Sequence, residues 1–118
     1  MPTTKNPGRP VDDEDTLPVT DIFSVLSNER RLQTVQYLSQ LVGAVETKDI
    51  ADHLALVEGN HTSEHFERIS TGLVHVHIPA LVDAGIAEYD PERETVALLD
   101  VAEEMQPYLA LASKSVDQ

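Results

Sequence analysis

"IPALVDAGIAEYDPERETVAL", residues 78–98, contains the end of a helix, a glycine, two short runs of strand-like alternation and a turn between them. Gly85 fits the left-handed position just past a helix terminus, and Ile86 can fold its side chain back onto the last turn. "IAEY" and "TVAL" then pair as short strands around "DPERE", where Asp90 at the first turn position and Pro91 at the second favour type I geometry. The spacing therefore predicts a helix running directly into a β-hairpin, and the rest of the chain must supply what the two pack on.

Upstream, Val19, Ile22, Phe23 and Leu26 fall at i, i+3, i+4 and i+7, the stripe of a short amphipathic helix. A second helix follows in "LSNERRLQTVQYLSQLVG", with Ser27 as N-cap, Glu29 in the first turn, a buried face of Leu32, Val35, Leu38 and Val42, and Gly43 as the stop. "ETKDIADHLALVEG" reads as a third, with Thr47 as N-cap, Asp49 in the first turn, Ile50, Ala51, Leu54 and Val57 inward, and Gly59 at its end. Thr62 or Ser63 then caps a longer helix over residues 63–84, in which Phe66, Ile69, Leu73, Val76 and Ala80 share the core face. Its opposite face carries Glu64, Glu67, Arg68, Thr71 and His75. Pro79 lies inside this pattern and removes one backbone hydrogen bond, so the last turn is expected to kink or to separate as a short helix. After the hairpin, Asp100 with Glu103 makes a capping box for a final helix with the stripe Val101, Met105, Tyr108, Leu109 and Ala112, interrupted by Pro107.

The chain of 118 residues is 41% apolar and 25% charged, which suits one small domain with a single core. Residues 1–16 combine prolines with the run Asp12, Asp13, Glu14, Asp15 and read as a disordered acidic tail. The folded domain is expected over 17–113, with a flexible end at 114–118. There is no cysteine, which excludes disulfides and thiolate zinc sites and makes cytoplasmic residence the simple reading. Residues 1–16 lack the apolar segment of a signal peptide and no apolar run approaches about 20 residues, so a soluble, intracellular protein is expected.

Charge is the unusual bulk property: 21 acids against 8 Lys and Arg give a net charge of −13. At low salt that argues against nucleic acid, whose phosphates need cationic partners. The acids are nevertheless spread along the whole chain, as in a protein kept soluble in very concentrated salt. In about molar salt the Debye length is roughly 3 Å, and the overall negative field is screened before it repels DNA.

The element order, helices followed by a two-stranded wing and a last helix, is that of a winged helix-turn-helix, mostly α with a β-hairpin. "LSNERRLQTVQYL", "TKDIADHL" and "VHIPALVDAGIAEYDPERETVAL" resemble the corresponding segments of small winged-helix proteins of halophilic archaea, related in fold to arsenical-repressor-type transcription regulators. Such a resemblance, over about residues 20–98, implies a DNA-binding fold more than a defined activity. It places Leu26 to Arg31 at the entry to the second helix, Asp49 to Leu54 on the positioning helix and Leu81 to Asp90 at the approach to the wing. In this chain "EGNHTSEHFER" lengthens the connection before the long helix beyond that of a tight helix-turn-helix.

On the DNA-binding reading, the helix at 63–84 enters the groove of duplex DNA with Arg68, Thr71 and His75 outward and His65 near its start, and the wing spans residues 86–98. Arg93 at the wing tip reaches a phosphate or the minor groove, while Lys48, Arg30 and Arg31 touch backbone. The alternative is a non-catalytic protein-interaction module in which the same fold has lost its DNA contacts and the acidic surface recognises a basic partner. A histidine metal sensor would rest on His61 and His65, four residues apart, but His61 falls before the cap and His75 and His77 point to opposite sides of a helix. Neither metal nor cofactor is expected, and no enzyme: no phosphate loop, nucleophile elbow or His–carboxylate spacing stands out. A homodimer through the terminal helices would set two recognition helices about 34 Å apart, one DNA turn.

Overall fold

The computed structural model describes residues 24–100, 102, 106–107 and 109–110. The expected tail at 1–16, most of the first helical stripe, the partner Glu103 of the capping box and the 114–118 end lie outside the described residues.

Residues 24–26 form a helical turn that buries Val25, and the first full helix, α1 (Glu29–Ser39), follows. Its N-cap is Asn28, whose side chain accepts from the Arg31 amide at 3.1 Å; Ser27 instead donates its hydroxyl back to the Ser24 carbonyl at 2.7 Å. Leu32, Val35 and Leu38 face the core as their spacing requires. Val42 does not: α1 ends at Ser39, four residues before Gly43, and Val42, beyond the last turn, is fully exposed.

Gly43, at φ +83°, turns the chain into a two-residue strand β1 (Val45–Glu46), which passes straight into α2 (Thr47–Glu58). Thr47 is therefore the first helical residue and not the N-cap. Glu46 holds the cap position without any side-chain bond, and the Thr47 amide donates to the Glu94 carbonyl of the hairpin at 2.9 Å. The hairpin backbone thus satisfies one of the amides that a helix start leaves without an internal partner. Ile50, Ala51, Leu54 and Ala55 are inward; Val57 lies on the flank and is half exposed, Ala55 taking the place assigned to it. Gly59 ends α2 at φ +74°: its amide bonds to the Leu56 carbonyl at 3.1 Å, and that of Asn60 to the Ala55 carbonyl at 3.2 Å. A Cβ at Gly59 would meet nothing within 4 Å, so Gly59→Ala should cost only the left-handed backbone strain, about 1–2 kcal/mol in urea unfolding.

The long helix at 63–84 is three pieces. α3 (Ser63–Gly72) starts at Thr62, whose hydroxyl accepts from the His65 amide at 3.1 Å. A π-helical turn, Leu73–His77, follows, and then α4 (Ile78–Asp83), with Pro79 in its first turn. Ile69 and Leu73 are buried as expected, but beyond the π turn the inward residues are His77, Ile78 and Leu81; Val76 is exposed and Ala80 only partly buried. The extra residue of the π turn displaces the inward stripe by one position. Gly85, at φ +78°, takes the left-handed position expected of it and closes α4 with two hydrogen bonds, Gly85 amide to Val82 carbonyl and Ile86 amide to Leu81 carbonyl, both 3.0 Å.

The hairpin pairs β2 (Ala87–Asp90) with β3 (Thr95–Leu98) in the register Ala87↔Leu98 to Asp90↔Thr95. β1 adds on the far side of β3 through Val45↔Val96 and Glu46↔Thr95, giving a three-stranded antiparallel sheet of order β1-β3-β2. That third strand was not anticipated, because two residues are too few to show a period of two. Val96, on the central strand, is fully buried with Ile50, Leu54, Ile69 and Leu81, so sheet and helices close on one core. Ala102 and Leu109 of the last segment join it, and Gln36 donates to the Leu109 carbonyl at 3.4 Å. The fold is α+β, mostly helical with a small antiparallel sheet. No described helix is long and apolar enough to cross a membrane.

Candidate nucleic-acid interface

α3 presents Glu64, Glu67, Arg68, Thr71 and, on the π turn, His75 to solvent, as their spacing requires. Arg68 pairs with Glu64 one turn back at 3.0 Å; both side chains are largely exposed, and an exposed pair of this kind is held by well under about 1 kcal/mol. The guanidinium is therefore free to leave Glu64 for a stronger anion.

The other end of the surface is the hairpin. Asp90 folds its carboxylate over the turn, accepting from the Glu92 and Arg93 amides at 3.0 and 3.3 Å in an Asx arrangement, and Glu94 ends the turn at φ +55°. This holds Arg93 at the tip, 82% exposed and 4.0 Å from Asp90. Lys48, also exposed, stands 3.6 Å from Glu46. Because Thr47 bonds to Glu94, Lys48 and Arg93 each sit one residue from the same backbone hydrogen bond, which places two of the cations expected to meet DNA near the turn end of the hairpin. Arg93 also lines a groove of about 390 Å³ together with Ala44, Glu88, Asp90, Thr95 and Ala97.

Arg30, Arg31 and His65 are placed differently. Arg30 makes a two-pronged contact with Glu58 at the end of α2, Nε to Oε2 at 2.7 Å and Nη2 to Oε1 at 2.9 Å. His65 reaches the same carboxylate at 2.7 Å, with its side chain only 15% exposed. Hydrogen bonding to Arg30, reinforced by His65, holds the Glu58 carboxyl below its usual range, and Glu58 in turn raises Arg30. Arg31 turns inward and donates to the Val25 carbonyl at 3.1 Å. Arg30 and His65 thus tie α1 and the start of α3 to the end of α2 through Glu58, and Arg31 ties α1 to the helical turn before it. Glu58, the hub, was not singled out from the sequence, where an acid in the last turn of a helix reads as a solvated surface group.

The loop before α3 is braced in the same way, His61 bonding to Asp52 of α2. His61 and His65 thus serve different carboxylates, and no group of three or more metal-ligating side chains occurs among the described residues. His53 stacks on Tyr37 of α1 with ring centroids 4.1 Å apart, and burial lowers its pKa.

The charge balance is unfavourable to DNA at low salt: the hairpin carries Glu88, Asp90, Glu92 and Glu94 against Arg93 alone. No curated protein and no solved structure matches the chain. Residues 23–97, from just before α1 almost to the end of β3, match the model of a family described as a domain of unknown function, DUF7344. That stretch is more than half of the 118 residues, and the chain belongs to the DUF7344 family.

Proposed function

We propose that this chain is a DNA-binding transcription regulator of the winged helix-turn-helix type, seating α3 in the major groove of duplex DNA and laying the hairpin along the adjacent backbone. One observation carries the reading: a strand ahead of α2 pairs with the hairpin in the order β1-β3-β2, so that the wing is fixed to the start of α2 while the Arg68–Thr71–His75 face of α3 stays open. Arg68, Thr71 and His75 would read or flank bases, and Arg93 with Lys48 would hold phosphates. Arg30, Arg31 and His65 support the scaffold. Pairing of two copies through the terminal helices would have to use apolar surface other than Ala102 and Leu109, which the single chain already buries.

The second reading, a module for a basic protein partner, is favoured by the four carboxylates of the hairpin and by Glu64 and Glu67 beside Arg68. The two readings give opposite signs in one experiment. In about molar KCl, anisotropy of a labelled fragment from the protein's own upstream region is compared with scrambled DNA for wild type and for Glu64→Gln and Glu67→Gln. Removing a carboxylate beside Arg68 should strengthen DNA binding a few-fold. Loss of affinity for a polylysine probe in the same variants, with no preference for either DNA, would replace the first reading by the second.

A further inference from the structure

We propose that the stretch from Leu73 to Leu81 has two inward-facing registers, the π register of the structure and a continuous α register, and that a proton on His77 drives the exchange from the first to the second, turning α4 and with it the hairpin.

The sequence itself spells the second register. Ile69, Leu73, Val76 and Ala80 follow one another at helical intervals, and an unbroken helix would place all four in the core. In the π register the Ile78 amide bonds to the Leu73 carbonyl five residues back, and His77 and Leu81 take the positions of Val76 and Ala80. Each register has something the other lacks. The π register buries Leu81 and Ile78 almost completely, a larger apolar contribution than Val76 and Ala80 supply. It also suits Pro79, whose ring in a continuous α-helix would collide with the His75 carbonyl and leave it without an amide partner. Against this, it leaves Val76 53% exposed and takes His77 into the core, 9% exposed, with Nδ1 buried and without a hydrogen-bond partner.

His77 is thus the weak point of the π register, and protonation would make it weaker. The charges acting on it come from Arg31 and Arg30 of α1 and are of the wrong sign for an imidazolium. On α2, Glu58 is already shared by Arg30 and by His65 of α3, and Asp52 is bonded to His61; on α4, Asp83 is exposed. Burial, then Arg31 and Arg30, hold the His77 pKa below its ordinary value of 6.5. The π register therefore binds fewer protons than any state that exposes the ring, and its advantage, complete above about pH 6.5, shrinks as the pH falls below that value. In the α register Val76 replaces His77 inward, and the protonated ring reaches water. A shift of one residue turns α4 by about 100°. Since the Gly85–Ile86 closure ties α4 to β2, that turn is transmitted to the hairpin.

The test uses the full chain in about molar KCl, followed from pH 8 to pH 5 by methyl NMR with a soluble paramagnetic probe that bleaches exposed methyl groups. Val76 should pass from bleached to protected and Leu81 the reverse, with the midpoint of the His77 imidazole titration. His77→Leu and His77→Gln should each hold the π register throughout, while Pro79→Ala should show protected Val76 already at neutral pH. Val76→Lys, which cannot turn inward, should unfold cooperatively over the pH range in which wild type exchanges. The proposal is overturned if Val76 stays bleached while His77 titrates, or if wild type and both His77 variants lose structure at the same pH.

Discussion

Leu81→Ala lowers the free energy of unfolding by about 2–5 kcal/mol, the range for deleting a fully buried leucine and leaving a cavity. Against a total of about 5–15 kcal/mol for a typical domain, this is a change of urea midpoint that within the 76–84 stretch only Ile78, almost as deeply buried, should match. Leu81 is wholly buried, and its carbonyl also accepts from Ile86 at the closure of α4, so the surrounding chain has little freedom to collapse into the gap. Val76→Ala is the informative companion. At 53% exposure it should cost less than about 0.5–1 kcal/mol at neutral pH, although helical spacing places Val76 in the core. Equal effects at the two positions would contradict the one-residue displacement at the π turn.

The second large effect concerns recognition. If α3 and the hairpin bind DNA as proposed, Arg68→Ala and Arg93→Ala should each lower affinity, but differently. Arg68 projects from the middle of the exposed face of α3, where a base contact is worth about 1–3 kcal/mol, so its loss should reduce binding to the preferred fragment roughly 5- to 150-fold and reduce discrimination against scrambled DNA. Arg93, at the hairpin tip, is placed for phosphate; its loss should weaken binding to all sequences alike and lower the slope of log affinity against log salt by about one. Arg30→Ala should act otherwise again, leaving Glu58 with only His65 and lowering stability, with no change in sequence preference. Titrations of the three variants between 0.5 and 2 M KCl, with unfolding curves alongside, separate base contact, phosphate contact and scaffold.

Much of the fold was legible because it depends on local chemistry. Gly59 and Gly85 mark helix ends by conformations that other residues resist, Thr62 caps α3 through its own hydroxyl, and the alternation of 86–89 and 95–98 gives the hairpin. What stayed hidden depends on distant partners. The strand at Val45–Glu46 exists because β3 offers it an edge, and the start of α2 is completed by a carbonyl 47 residues later, so Thr47 has no need to act as the cap. Position 76 illustrates the same point in reverse: Val76 has the right spacing and the right side chain for the core, but Pro79 and the two larger residues Ile78 and Leu81 together favour the displaced register. The outward face of α3 was readable from periodicity alone. That Arg30 and His65 serve Glu58 was not, since nothing in a sequence shows which of 21 acids a cation will meet.

The pairing of Val45 with Val96 has a kinetic consequence. The hairpin can close from residues a few positions apart, and α2 can meet α3 across a short loop, but the sheet is complete only when chain segments 51 residues apart come together. Because closing so long a loop carries an entropic cost that local contacts do not, the three-stranded sheet should be the last part to assemble and the docked wing the first to be released on unfolding. The Thr47 amide, which depends on that docking, should then exchange with solvent sooner than the amides in the middle of α2.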